Sequence, residues 1–243
     1  MNNLRTDDLQ INNLKIMQDP SLFCFGTDSV LLANFANPNK NALILDIGTG
    51  NGIIPLLLTA KVYAKKIIGI EVQKRSYSLA KKNVALNSLD ELVEIIEGDI
   101  NDNTIFKGNT FDYITCNPPY KPLGGGIINP DDALKIARHE VLCTLSDIVR
   151  QSSRILKPSG KLSMVHKPER MAELIYTFKE YGIEPKRIQT VSSKEGLPPC
   201  LILLEGSKGG NPGLKFEKPI LIYDNNGNYT AHIKTLYSKS KEN

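Results

Sequence analysis

An α/β fold with a mostly parallel sheet follows from two features of this chain. From residue 43 onward, short apolar runs alternate with amphipathic stretches, and strands alternating with helices wind into a parallel sheet through right-handed crossovers. Acidic and glycine-rich turns stand at the carboxyl ends of successive apolar runs, the edge at which such sheets bind ligands.

Taken in order, residues 9–36 lie outside the alternation and end in an apolar, helix-like run over 29–35 before a break at Pro38. Strands are expected over 43–46, 67–71, 93–97, 113–116, 161–166 and 188–191, and helices over 53–60, 74–87, 141–156 and 168–181. Pro55 falls in the first turn of its helix, where a missing N–H is tolerated. Lys157-Pro158-Ser159-Gly160 ends one helix and turns into the next strand. Beyond Pro199, residues 201–204 read as a strand and 206–213 as a flexible loop. Asp224-Asn225-Asn226-Gly227-Asn228 is a turn signal between strands over 220–223 and 229–233. The expected organisation is an N-terminal extension over 1–40 packed on the core, a main domain over 41–206, and a C-terminal hairpin and tail of the same domain over 207–243.

A length of 243 residues, 41% of them hydrophobic and 23% charged, suits one large domain and is short for two. No apolar run approaches the roughly 20 residues that span a bilayer, and Met1-Asn2-Asn3-Leu4-Arg5 lacks a signal-peptide core. A cytoplasmic protein without a membrane partner is expected. Cys24, Cys116, Cys143 and Cys200 are far apart with no C-x-x-C pair, which argues against a zinc site or disulfide framework and for small core residues. The net charge of +4 is compatible with a polyanionic partner and equally with a solvated lysine-rich surface.

Asn117-Pro118-Pro119-Tyr120 follows the apolar run 111–116. The two prolines fix their φ angles, remove two donors and hold the residue before each of them extended. What remains is a stiff turn presenting two acceptors, the Asn117 side-chain carbonyl and the Pro118 backbone carbonyl, beside the aromatic face of Tyr120. That arrangement suits a planar NH2 group on a flat ring and points to a reaction at nitrogen.

Asp46-Ile47-Gly48-Thr49-Gly50-Asn51-Gly52 closes the first expected strand and opens a helix, with glycines that let the backbone turn sharply and approach a ligand. A dinucleotide would use similar geometry. The spacing here is Gly-x-Gly-x-Gly, however, and Asp46 would repel a pyrophosphate while attracting an ammonium or sulfonium. Glu71 ends the second strand, where an acid accepts from ribose hydroxyls, and Asp99 ends the third, placed for an adenine amine. Each acid alone reads better as a solvated turn former or a cap. Together with the glycine loop they suit S-adenosylmethionine, a cationic nucleoside.

In this order, residues 46–52, Glu71, Asp99 and the Asn-Pro-Pro-Tyr turn resemble class I S-adenosylmethionine-dependent methyltransferases that act on amino nitrogens. The resemblance implies a Rossmann-like fold: a mostly parallel seven-stranded sheet, helices on both faces and an antiparallel edge hairpin. It also implies cofactor contacts from Asp46, Gly48, Thr49, Gly50 and Gly52, from Glu71 and Val72, from Asp99 and Ile100, and from Asn117. Gln18, Phe25-Gly26-Thr27-Asp28-Ser29-Val30-Leu31-Leu32 and Ala137-Arg138-His139-Glu140 are similar to the bacterial tRNA1(Val) adenine-N6-methyltransferase family. Members methylate the adenine just 3′ of the anticodon. That likeness implies Thr27 and Asp28 over the methionine end of the cofactor, catalysis at Asn117, Pro118, Pro119 and Tyr120, and Tyr120, Lys121, Arg138 and His139 facing a tRNA. Asp28 reads equally as a helix cap and His139 as a structural imidazole. Lys121, Lys167, Lys186, Lys194 and Arg170 are candidate phosphate contacts. A protein-glutamine N5-methyltransferase would use the same tetrapeptide, although such proteins usually carry an extra N-terminal helical domain and only about 40 residues precede the glycine loop. A non-catalytic cofactor-binding RNA scaffold is the alternative outside enzymes.

Overall fold

The computed structural model describes residues 4–22, 24–118 and 143–238. Seven strands build the body of one sheet: β3 (Ala42–Ile47), β4 (Ala64–Glu71), β5 (Val93–Glu97), β6 (Phe111–Cys116), β7 (Leu156–His166), β8 (Ile183–Ser192) and β9 (Pro199–Lys208). Their spatial order is β8-β9-β7-β6-β3-β4-β5. All run parallel except β9, which pairs antiparallel with both β7 and β8. Two short strands, β10 (Lys215–Phe216) and β11 (Ile220–Leu221), pair with the outer edge of β8 and raise the count to nine. The sheet is therefore the expected parallel one with its antiparallel hairpin, two short strands larger. Those strands cover an edge whose N–H and C=O groups would otherwise lie open.

Helices cover both faces. On one, α1 (Thr27–Phe35), α2 (Ile53–Lys61), α3 (Lys74–Leu86) and α6 (Ala231–Ser238) contribute Leu31, Leu56, Ala80 and Ile233 to a continuous core. On the other, α4 (Leu145–Ile155) and α5 (Met171–Glu180) contribute Val149, Leu174 and Phe178. Between the layers, Tyr113, Glu205 and Arg187 form a buried polar network. Arg187 Nη1 lies 3.2 Å from Glu205 Oε2, and the Tyr113 hydroxyl donates to the same carboxylate. Among the described residues no helix is long and apolar enough to cross a membrane.

Four expectations need correction. A β-hairpin, β1 (Arg5–Asp8) with β2 (Lys15–Gln18), occupies part of the N-terminal stretch for which no strand is expected. Its turn is carried by Gln10, Asn12 and Asn13 at positive φ, a conformation asparagine tolerates better than most residues. The helix expected over 141–156 begins at Leu145, after a capping box in which Thr144 and Asp147 bond each other's backbone; residues 141–142 lie outside the described ones. Lys157-Pro158-Ser159-Gly160 does not separate helix from strand. β7 begins at Leu156 and takes these residues into a register shift against Phe111 and Tyr113, with Ser159 at φ 61°. The strand expected over 229–233 is mostly helix, because Tyr229 makes only one bridge, to Tyr223, before α6 packs Ile233 and Leu236 into the core. All four cysteines are free, but only Cys116 is fully buried.

Candidate active site

The neighbours of β3 set the position of the site. β4 follows it on one side, while β6 lies on the other, so the crossovers diverge here and leave a crevice at the carboxyl ends of β3 and β6. The parallel register aligns Ile47 with Cys116. The glycine turn after β3 and Asn117 after β6 therefore emerge side by side.

Asp46 stands opposite Thr115 in the same register and is fully buried. Thr115 Oγ1 donates to its Oδ1 at 2.7 Å, and the Thr49 hydroxyl also acts on the carboxyl. Burial pushes this carboxyl up to about 7, the Thr115 hydroxyl pulling the other way and the Glu71 carboxylate adding to the rise. The Gly48 and Thr49 amides both donate to the Ile70 carbonyl, tying the turn to β4. At Gly48 and Gly50, φ is +65° and +58°, and a Cβ on either would meet no atom of the described residues within 4 Å. Among the described residues, nothing stands above either glycine. Gly52 serves differently: a Cβ there would sit 3.3 Å from the Ala80 Cβ, so it lets α2 approach α3. Thr49 packs on Gly69, where an added Cβ would meet Thr49 Oγ1 at 2.8 Å, and its hydroxyl also lowers the Asp46 pKa.

Glu71 is buried at the end of β4. Its Oε2 accepts from the Gly50 amide at 2.9 Å and its Oε1 from the Gln73 amide at 2.8 Å. Burial raises its pKa, and these backbone bonds oppose the rise. Each oxygen keeps a second lone pair for a hydroxyl donor. Val72 beside it is 42% exposed and presents an apolar surface. Asp99 lies two residues past β5 and accepts from the Asn101 amide at 2.9 Å, and Ile100 is buried beside it.

On the other wall, Asn117 Nδ2 donates to Asp28 Oδ2 at 3.1 Å and to Ser29 Oγ at 3.0 Å. Thr27 precedes them in the first turn of α1 and meets the Tyr237 phenol of α6, which burial raises and the Thr27 hydrogen bond lowers. Beside Pro118 a cleft of about 170 Å³ is lined by Thr144, Leu145, Ile148, His166 and Arg170. Burial, with the Arg170 charge, takes the His166 imidazole down to about 4, so it is neutral at physiological pH. Pro119, Tyr120, Lys121, Arg138 and His139 lie outside the described residues.

Asn83 is a positioning residue that sequence reasoning missed. It is wholly buried in α3, donates to the Met17 and Asn51 carbonyls, and accepts from the Met17 amide at 2.7 Å. One side chain thereby clamps the glycine turn to β2. The one signal for it in the sequence is a polar residue on the apolar stripe of a helix, seven places from Ser76 and next to Val84. Of the candidate phosphate contacts, Lys167 and Lys194 follow the carboxyl ends of β7 and β8, on the side of the site. Lys186, in the first half of β8, is at the far edge and donates to the Asn211 carbonyl. Arg170 pairs with Glu173 at 2.6 Å.

The residues present fit a cationic nucleoside. A carboxyl buried beneath the glycine turn, two glycines whose added Cβ would meet no described atom, an acid with acceptor oxygens and an exposed apolar face gather at one edge of the sheet. A doubly wound sheet with this set at its carboxyl edge is that of a class I methyltransferase, an enzyme dependent on S-adenosylmethionine.

Comparisons with known proteins agree. Residues 13–181 match the methyltransferase small domain family. A tRNA1(Val) (adenine(37)-N6)-methyltransferase of Tolumonas auensis is 30% identical over 222 residues, 91% of each chain. One of Porphyromonas gingivalis is 30% identical over 82% of this chain and 80% of its own. Among solved structures, a predicted O-methyltransferase from Agrobacterium tumefaciens superposes with a TM-score of 0.71 at 19% identity, over 89% of this chain and 99% of the other. A SAM dependent methyltransferase from Aquifex aeolicus gives 0.54 at 18%, over 78% and 94%. The chain belongs to the methyltransferase small domain family, with the bacterial tRNA1(Val) adenine-N6-methyltransferases as its relatives.

Proposed function

We propose that this enzyme methylates the exocyclic N6 amine of an adenine in the anticodon loop of a tRNA, in the cytoplasm. The observation that carries the reading is the emergence of Asn117 and Pro118 beside the open glycine turn, at the switch point of the sheet. The names and coverage of the curated relatives support the substrate.

S-adenosylmethionine, when bound, supplies an electrophilic methyl group. In this reading Gly48 and Gly50 leave room for its methionine part, Asp46 offsets its positive charge, Glu71 takes the ribose hydroxyls, and Val72, Asp99 and Ile100 hold the adenine. Thr27 closes the methionine end. Asn117 Oδ1 and the Pro118 carbonyl each accept one N–H of the target amine. An adenine amine donates its lone pair into the ring, and two acceptors in fixed positions let it pyramidalise and direct that pair outward. The N–H acidifies only as the N–C bond forms, so alignment and charge stabilisation suffice without a strong base. Tyr120 would stack on the base, returning roughly 1–3 kcal/mol against the unstacking cost. Lys121, Arg138 and His139 would meet the RNA. Residues 1–40 and 207–243 belong to the same unit, a reading supported by the Asn83 clamp on Met17 and by the Lys61 bond to the Leu236 carbonyl.

The test is methyl transfer from labelled S-adenosylmethionine to unmodified total tRNA, with ribosomal RNA, DNA and release factor as parallel acceptors and nucleoside mass spectrometry of the products. N6-methyladenosine in tRNA supports the reading. Label in release factor would keep the amine chemistry and overturn the substrate.

A further inference from the structure

The Asn117 amide has two ends of nearly equal shape, an oxygen that accepts and a nitrogen that donates. Only one orientation serves the reaction: with the nitrogen forward, an NH2 would face the NH2 of the target. Proline stiffness in the following turn constrains the backbone of Asn117 but does not decide which end of its side chain points where.

Two residues from the other end of the sequence do decide it. Asn117 Nδ2 donates to Asp28 Oδ2 at 3.1 Å and to Ser29 Oγ at 3.0 Å. A carboxylate has only acceptors to offer, so the amide nitrogen must face Asp28 and the oxygen takes the opposite branch. The charge adds a second effect. An amide that donates to an anion is polarised, and its own oxygen becomes a stronger acceptor for an amine acquiring positive charge.

The surroundings hold Asp28 in this role. Its Oδ1 accepts from the Ser29 amide at 2.9 Å. Gly26 leaves room for the carboxylate, since a Cβ there would lie 2.9 Å from Asp28 Oδ1. Buried Gln18 braces the approach, accepting from the Phe25 amide at 3.2 Å while its own amide donates to Asp7. The N-terminal hairpin thus fixes the loop that carries the carboxylate. The Asp28 carboxylate bonds reach both Asn117 and its own helix turn.

We propose that Asp28, assisted by Ser29, is the positioning residue that holds Asn117 with its acceptor oxygen toward the target amine. The inference rests on the reading of Asn117 as the amine's acceptor.

Five variants and three readouts test it. Asp28→Ala lowers kcat roughly 10- to 100-fold, the scale of one misplaced transition-state acceptor, while the cofactor Kd from calorimetry stays within about threefold. Ser29→Ala, which spares the carboxylate, has a smaller effect of the same kind. In 15N-resolved NMR of the protein without RNA, the Asn117 side-chain NH2 pair, assigned by its loss in Asn117→Ala, shifts in Asp28→Ala. Asn117→Asp sets two carboxylates against each other and abolishes transfer. Adding Asp28→Asn to it restores a donor–acceptor pair with an oxygen facing the amine and recovers at least about tenfold.

Weakened cofactor binding with unchanged kcat at saturation would make Asp28 a cofactor ligand and overturn the proposal. An unmoved NH2 pair, or a double variant no better than Asn117→Asp, would overturn it too. If the wild type methylates a protein amide instead of tRNA, the substrate reading fails, and the same comparisons on that acceptor still decide the role of Asp28.

Discussion

Replacing Asp46 with asparagine tests the electrostatics of the crevice without any assumption about the substrate. Burial lifts this carboxyl from an ordinary 3.8 to about 7. Between those values the folded protein binds a proton that the unfolded chain has released, so stability falls as pH rises through the window from about 4 to about 7. Roughly three pH units at about 1.4 kcal/mol each amount to about 4 kcal/mol lost by pH 8. Asp46→Asn removes the titration. Fitting the extra amide donors beside Thr115 costs about 1 kcal/mol, which leaves a net gain of about 3 kcal/mol at pH 8 and none at pH 4.5. For a chain of this size that is roughly 6–12 °C in melting temperature. The assay is urea and thermal unfolding of the cofactor-free protein followed by far-UV circular dichroism at both pH values. Glu71 is also raised by burial, and its charge is the smallest of the causes acting on Asp46, so its titration shifts little in the variant and leaves the sign of the difference unchanged. Parallel stability profiles for the two proteins from pH 4.5 to 8 would refute the argument. Affinity for the cationic cofactor falls in the same variant, so stability and function change in opposite directions.

Three further outcomes are set by the geometry. Asn117→Ala lowers turnover by roughly 100-fold or more, the scale of one lost transition-state hydrogen bond, with little change in cofactor affinity; near-normal turnover would remove the mechanism. Glu71→Ala weakens S-adenosylmethionine binding by about tenfold or more, the worth of a charge-assisted hydrogen bond, and unchanged calorimetric affinity would sink the ribose assignment. Arg187→Ala leaves the buried Glu205 carboxylate without its guanidinium and strips a cation from the Phe35 ring 4.4 Å away. Lys161 stays 3.5 Å from the other carboxylate oxygen, so a destabilisation of about 1–2 kcal/mol is expected, and an unmoved urea midpoint would contradict it.

Periodicity made most of the sheet legible, because buried parallel strands carry continuous apolar runs and their helices an apolar stripe. The C-terminal segment was legible only as far as its turn. Asp224 accepts from the Asn226 and Asn228 amides as the turn signal implied. Beyond the turn the chain turns helical because Ile233 and Leu236 pack into the core, which no local signal announces. The N-terminal hairpin was missed because four-residue strands carry too little alternation to detect.

For the site, local sequence was enough wherever one residue's chemistry depends on its own backbone: the glycine turn, the acids at strand ends and the proline-stiffened Asn117. Tertiary structure alone decided how those pieces divide the work. It sends Thr49 onto Gly69 and Gly52 onto Ala80, and it makes Asp46 a buried acid because register sets it against Thr115. It also brings Asp28 to Asn117 across 89 positions. Turn propensity is a property of neighbouring residues and can be read along the chain. The direction of a side chain and the charge it carries depend on what packs against it, and that is set only when distant strands and helices close around it.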